Sequence, residues 1–314
     1  MIEWRERQAA ACATILVFCA LGWAPRLFSQ NTPQDLIQQI GWEIDTGRID
    51  AALAHARQGV EQYPSSSILM HLLGVAESKK GLQDKARQSF LSAIRLDPTI
   101  PQNYYDVAVL DLQSNRYAEA TTMLETYLRV NPQNGKAHLL LGLAYRTQKQ
   151  PVLAIAQFKQ ALALSPDLPM AHYYLGTAYE DQGNPKAALE EFKKELKTNP
   201  RFYDAYWQAG NIELTLQDFK AAEAFFRQGI SLRPLHYEAY YGLAKLFLAR
   251  QEFPQAASQL ETVIALEPQD IDAHSLLAHV YEKMGKTMDA KREDLVVETL
   301  RAGSEVSDAG DSSH

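Results

Sequence analysis

Small and bulky apolar residues return along this chain on a fixed beat of 34 residues. Alanine marks it at Ala52, Ala86, Ala120, Ala154, Ala188, Ala222, Ala256 and Ala290. Four residues later, and so on the same face of a helix, stands a large side chain: Phe90, Leu124, Phe158, Phe192, Phe226 and Leu260. A third series, Gly74, Ala108, Gly142, Gly176, Gly210, Ala244 and Ala278, falls in the earlier part of each unit and is small again. A small residue is required where two helices approach closely, because a larger one costs ~1–3 kcal/mol of overpacking. The three series therefore predict pairs of helices, each packed along one interdigitated seam.

The breaks between helices follow from chain chemistry. Pro64, Pro98, Pro132, Pro166, Pro200, Pro234 and Pro268 keep the same 34-residue interval. A proline stops the second helix of a pair and holds the residue before it extended, and Asp97, Asn131, Ser165 and Asn199 at that preceding position suit a turn. Gly47, Gly81, Asn115, Gly183 and Gly285 share a position where the first helix of a pair would end in a left-handed residue.

With AHLLLGLAYRTQKQPVLAIAQFKQALALSP at 137–166 and AHYYLGTAYEDQGNPKAALEEFKKELKTNP at 171–200, the sequence resembles the tetratricopeptide repeat family over about 33–302. The resemblance implies an all-α, right-handed α-solenoid of about eight helix-turn-helix repeats, at about 33–66, 67–100, 101–134, 135–168, 169–202, 203–236, 237–270 and 271–302. It speaks to fold far more than to function, since the same platform serves many unrelated systems. The ends depart from the pattern. Repeat one has Ile40 and Ala56 where the seam wants Gly and Phe, and repeat eight has Asp294 at the Phe position. Terminal repeats are expected to be atypical, because one face meets water. Residues 303–314, small, polar and acidic, read as a disordered tail.

The stretch from Ala9 to Ala24 is uncharged and mostly apolar, with Arg5 and Arg7 before it and Arg26 after it. It is short for a transmembrane helix, which needs ~20 residues. It reads instead as a secretory signal peptide over 1–29, cut between Ser29 and Gln30, with the repeat array in 30–302. Export to the periplasm or cell envelope is expected; the alternative is a membrane anchor through 9–24 that stays uncleaved. Lipidation is disfavoured, because Phe18 precedes Cys19 where a small residue is needed.

Composition removes further classes. A formal net charge of −7, with basic residues adjoining only in pairs, argues against nucleic acid. Both cysteines, Cys12 and Cys19, lie in the apolar run, so the repeats hold no thiolate metal site or disulfide. His138 and His172, on adjacent repeats, lack the carboxylate or thiolate cluster a metal needs, and packing is expected of them. There is no phosphate-binding glycine loop, zinc-protease helix or nucleophile elbow, so neither a cofactor nor an enzymatic activity is expected.

In this family the first helix of every pair lines the concave surface. The resemblance thus implies that the fifth position of successive units, Ile37, His71, Tyr105, Leu139, Tyr173, Trp207, Tyr241 and Ser275, faces the groove. Large rings dominate binding hot spots, but a slight rotation would bury them in the core instead, and both placements are open at this point. Tyr104, Tyr206 and Tyr240, one position earlier, are expected in the core. Asp204, Glu238 and Asp272 share one position in the last three units, whereas Lys136 holds it in the fourth. A partner would accordingly set its basic part toward the C-terminal units, unless these are solvated charges of little energetic weight. Of the Lys, Asn and Arg set with which family members grip acidic chaperone C-termini, only Asn211 and Lys245 have counterparts, each in isolation, and that role is set aside. The expected function is an exported scaffold that binds a protein or peptide segment in an aromatic-lined groove, in envelope complex assembly. The alternative is glycan binding in polysaccharide export or assembly.

Overall fold

The computed structural model describes residues 32–311, so the apolar run, the expected cleavage point and both cysteines lie outside the described residues. Among the described residues there are sixteen α-helices and no strand. In order they are α1 (Pro33–Asp45), α2 (Ile49–Gln62), α3 (Ser67–Lys79), α4 (Gln83–Leu96), α5 (Pro101–Gln113), α6 (Tyr117–Val130), α7 (Gly135–Thr147) and α8 (Pro151–Leu164). There follow α9 (Ala171–Asp181), α10 (Pro185–Thr198), α11 (Tyr203–Thr215), α12 (Phe219–Leu232), α13 (Tyr237–Ala249), α14 (Phe253–Leu266), α15 (Ile271–Lys283) and α16 (Thr287–Asp311). Odd-numbered helices are the first, or A, helix of each repeat and even-numbered ones the second, or B, helix. They group into two compact units, one ending at Val107 and the other beginning at Ala108.

Local chemistry starts and stops these helices. The side chains of Ser66, Asn134 and Asp270 accept from the third backbone N–H of α3, α7 and α15, satisfying donors that have no partner inside a helix. Proline occupies the first turn of α1, α8, α10 and α14, where its missing N–H costs nothing. Every A helix ends on one left-handed residue: Gly47, Gly81, Asn115, Lys149, Gly183, Gln217, Gln251 and Gly285, at φ between 58° and 83°. The Gly81 N–H bonds Ser78 O and the Leu82 N–H bonds Glu77 O, at 3.0 and 2.9 Å, which closes the helix end on its own carbonyls. Gln217 and Asp218 repeat both bonds onto Leu214 and Glu213. The left-handed turn is thus common to all eight repeats, although Lys149, Gln217 and Gln251 carry no sequence signal for it.

The seam explains both the periodic glycines and their exceptions. A Cβ added at Gly142 would lie 2.5 Å from the Phe158 ring, and at Gly74, Gly176 and Gly210 it would meet Phe90, Phe192 and Phe226 at 2.6–2.8 Å. In the inner repeats where the small residue is alanine, its partner sixteen residues later is the smaller leucine, as in Ala108 with Leu124 and Ala244 with Leu260, whereas in the last repeat Ala278 has the exposed Asp294 at that place. Repeat one reverses the assignment: Ile40 is large, Ala56 is small, and both are fully buried in one cluster with Leu36 and Leu69. What looks like a departure at the sequence level conserves volume across the same contact.

The last helix, α16, runs on without a break as far as Asp311. Ala302 stands where earlier repeats have the proline that stops the B helix, so no residue there removes an N–H or forces an extended neighbour.

Candidate functional site

The fifth-position side chains of the second unit lie on α7, α9, α11, α13 and α15. Leu139 is half-buried against the cluster formed by Ala154, Ile155, Phe158 and Leu175. Tyr173 packs edge-on against Phe202, with ring centroids 4.9 Å apart and planes at 83°, and also meets Phe192 at 5.7 Å. Trp207 and Tyr241 rest on the cluster around Tyr203, Phe226 and Leu243. Neither ring is used up there, since both also line a cavity of about 270 Å³ formed by α11, α13 and α15. Both rings thus touch the core cluster and line the cavity.

That cavity brings together Trp207, Asn211, Glu238, Tyr241 and Lys245 of the expected site residues, and adds Asp272, Tyr237 and Asp270. Tyr237 and Asp270 were not singled out from sequence. The signal for Asp270 was its register with Ser66 and Asn134, the caps of earlier A helices, and it accepts the Ala273 N–H at 2.9 Å. Glu238 Oε2 lies 2.9 Å from His236 Nδ1 and receives a longer bond of 3.4 Å from the Tyr203 hydroxyl. Lys245 reaches back one turn, so that its ammonium sits 4.4 Å from the centre of the Tyr241 ring. The local field is negative. Burial, then Asp272 and Asp270, push the Tyr241 hydroxyl up, and burial, Glu238 and Asp270 do the same to Tyr237.

The remaining expected residues stay apart from this cavity. Asp204 does not line it; its charge, after burial, raises the Tyr173 hydroxyl, against the opposing pull of Arg146. Arg146 itself donates from Nε to Asp181 at 2.7 Å. Tyr105 belongs to the first unit, half-buried on α5. In that unit the fifth-position His71 places Nδ1 2.7 Å from the Oδ1 of the fully buried Asn103 and 3.7 Å from Asp106.

The fourth position has a structural task. Tyr104, Tyr206 and Tyr240 donate their hydroxyls to the carbonyls of Pro98, Pro200 and Pro234, at 3.0–3.2 Å. All three are half-buried; Tyr206 and Tyr240 pack against the core clusters, and the hydroxyls tie an A helix to the preceding turn. His138 and His274 approach Pro132 O and Pro268 O in the same way, and His172 and His274 lie 2.7 and 2.6 Å from Glu191 and Glu293. The tyrosine of this region that is buried is instead Tyr203, at the first position of its repeat. Among the described residues no group of three or more His, Cys, Asp or Glu side chains could hold a metal ion, and no helix is long and apolar enough to cross a membrane. A larger cleft of about 530 Å³ follows the turn between α6 and α7, but it gathers neither several rings nor several charges.

Comparisons with known proteins agree with this architecture. The C-terminal part of a TPR repeat-containing protein from Cytophaga hutchinsonii is similar at a TM-score of 0.64 and 15% identity, over 77% of this chain and 99% of that one. A tetratricopeptide repeat protein from Parabacteroides merdae matches at 0.55 and 18%, over 79% and 98%. YrrB, described as a TPR protein with an unusual peptide-binding site, matches at 0.54 and 22%, over 59% and 96%. A search of curated proteins finds no match. Tetratricopeptide repeat profiles match residues 43–101, 105–169, 173–237 and 213–292, well over half of the sequence, and the chain belongs to the tetratricopeptide repeat family.

Proposed function

We propose that the protein is a non-catalytic scaffold that takes an extended or helical segment of a partner protein along the A-helix face of its second unit. The observation that carries this is the convergence of Trp207 and Tyr241 with Asn211, Glu238 and Lys245 on one cavity. Half-exposed rings supply contact area at low entropic cost, and the polar groups beside them fix orientation. The likeness to YrrB in fold is consistent with a peptide ligand. Tyr173, Leu139 and Asp204 would extend the contact toward earlier repeats of the second unit, and Tyr105 would serve a separate contact on the first unit. The apolar run at 9–24, preceded by arginines, supports work in the cell envelope.

The test is site-specific photocrosslinking in producing cells, with the crosslinker at Trp207 or Tyr241 and, as a control, at Gln228 on the B helix α12. A discrete adduct is expected from the first two and none from Gln228. Capture should be lost in Tyr173→Ala with Trp207→Ala while helical circular dichroism is retained; unchanged capture would sink the assignment. Sequencing the N-terminus of the envelope fraction should find Gln30. Retention on immobilised glycans that Trp207→Ala abolishes, without any protein adduct, would replace the partner class with a sugar.

A further inference from the structure

We infer that the cavity between α11, α13 and α15 is a subsite for one cationic side chain, lysine or arginine, of a basic partner segment, and that Lys245 fills its place in the free protein. The inference rests on the scaffold reading above and names the chemistry of the partner. Three rings, Trp207, Tyr237 and Tyr241, line the cavity together with three carboxylates, Glu238, Asp270 and Asp272. Aromatic faces and carboxylates attract cations by separate mechanisms, the ring quadrupole and direct charge, and both act at short range here. The volume of about 270 Å³ is below the ~300–1,000 Å³ of sites for drug-sized ligands and suits a single long side chain.

An ammonium group already occupies this place. The Lys245 nitrogen, 4.4 Å from the Tyr241 centroid, is well within the ~6 Å reach of a cation–π contact. It comes from an exposed side chain on the same helix, so a partner's cation can displace it into water. With Lys245 displaced, the carboxylates are not equally committed. Asp270 caps α15, Glu238 already serves His236 and Tyr203, and Asp272 is exposed and, among the described residues, accepts no hydrogen bond. Asp272 is therefore the carboxylate open to an incoming charge.

The repeat supports the same reading. A carboxylate stands 31 residues after the fifth-position ring of three successive units: Asp204 after Tyr173, Glu238 after Trp207 and Asp272 after Tyr241. In the two preceding units this offset gives Tyr105 with Lys136 and Leu139 with Met170, so the pairing of ring and acid is confined to the last three steps. A carboxylate-binding role for Asn211 and Lys245 would instead require an anion to settle among Glu238, Asp270 and Asp272, against like charge.

The two roles of Lys245 predict opposite effects of one substitution. The full chain, labelled with ¹⁵N, is titrated with N-acetyl-lysine methylamide, N-acetyl-arginine methylamide and N-acetyl-glutamate methylamide, and the Trp207 indole cross-peak is followed. Saturable movement is expected with the first two only, weakening as salt is added. Lys245→Met should tighten lysine binding by roughly two- to fivefold, because the internal competitor is gone, and Asp272→Asn should loosen it by a similar factor. No saturable movement, equal response to the glutamate compound, or weaker binding in Lys245→Met overturns the inference. Crosslinks from Trp207 to a partner, without preference for cations, would leave the scaffold reading standing and this one refuted. Cation binding with crosslinks only from Gln228 would do the reverse.

Discussion

The seam inside each helix pair and the A-helix face of the second unit are built on the same 34-residue beat, yet the beat constrains them differently. Along the seam of the first seven repeats the sum of two side chains is held: Gly faces Phe, Ala faces Leu, and Ile40 faces Ala56. Along the face the fifth position runs through Leu139, Tyr173, Trp207 and Tyr241, and the carboxylates are confined to the last three units. Close packing tolerates only compensated change, whereas a surface that meets a partner is free to vary from unit to unit. The array is held together by what repeats and is made specific by what does not.

The largest expected effect comes from breaking the seam at its most enclosed point. Phe226 is fully buried, and its ring stands against both Gly210 and Gly242. Phe226→Ala should cost about 3–5 kcal/mol, read from urea unfolding, with the loss concentrated in repeats 6 and 7 by hydrogen exchange. A loss below about 1 kcal/mol would mean that the seam relaxes and is no volume lock.

Size compensation gives a sharper test. Gly142→Ala places a methyl 2.5 Å from Phe158, so overpacking of ~1–3 kcal/mol outweighs the ~1 kcal/mol that alanine gains in a helix. Adding Phe158→Leu reproduces the native pairing of Ala108 with Leu124 and should return part of that loss. The double mutant is expected to be more stable than the sum of the two single changes allows. Strict additivity would show that the two positions do not share a contact.

The seam was legible because its signal is periodic and steric, and one side chain's size announces its partner's. The helix boundaries were legible for a similar reason, through Pro64, Gly81 and their counterparts 34 residues on. Other features gave a weaker signal or none. Lys149, Gln217 and Gln251 adopt the left-handed turn because the pattern of bonds at the end of the A helix imposes it, so residue type was no guide. Tyr237 and Asp270 join the cavity only because neighbouring A helices bring first and capping positions beside the ring of the preceding repeat, a relation that spans two or three repeats. Helicity past Ala302 follows from a proline that is missing, which composition does not register.

Those three left-handed residues offer a smaller and favourable change. A left-handed side chain costs ~1–2 kcal/mol, and glycine removes that strain at a lesser cost in chain entropy. Gln217→Gly should therefore stabilise the protein by about 0.5–1 kcal/mol, seen as a rise in Tm, while leaving the cavity untouched. The same change at Gln228, inside α12, should destabilise by ~1 kcal/mol.

The smallest effect separates face from seam by pH. Burial and the neighbouring Asp181 carboxylate push Glu180, near the end of α9, up to about 7, against the pull of Arg146. Its folded pKa thus lies above the ordinary carboxylate value of 4.5, and the folded state holds the proton more tightly than the unfolded chain. The resulting stability is fully present below about pH 4.5 and is lost as pH rises through about 7, opposite in sign to a carboxylate held by an ion pair. Partial exposure screens the effect and keeps it small. Subtracting the Tm profile of Glu180→Gln from that of the parent between pH 4.5 and 8 should leave a falling curve. The same subtraction for Gly142→Ala should leave a flat one, because steric volume does not titrate; a flat curve for both would mean that water reaches Glu180 freely and that the A-helix face is as open at α9 as its exposed charges elsewhere.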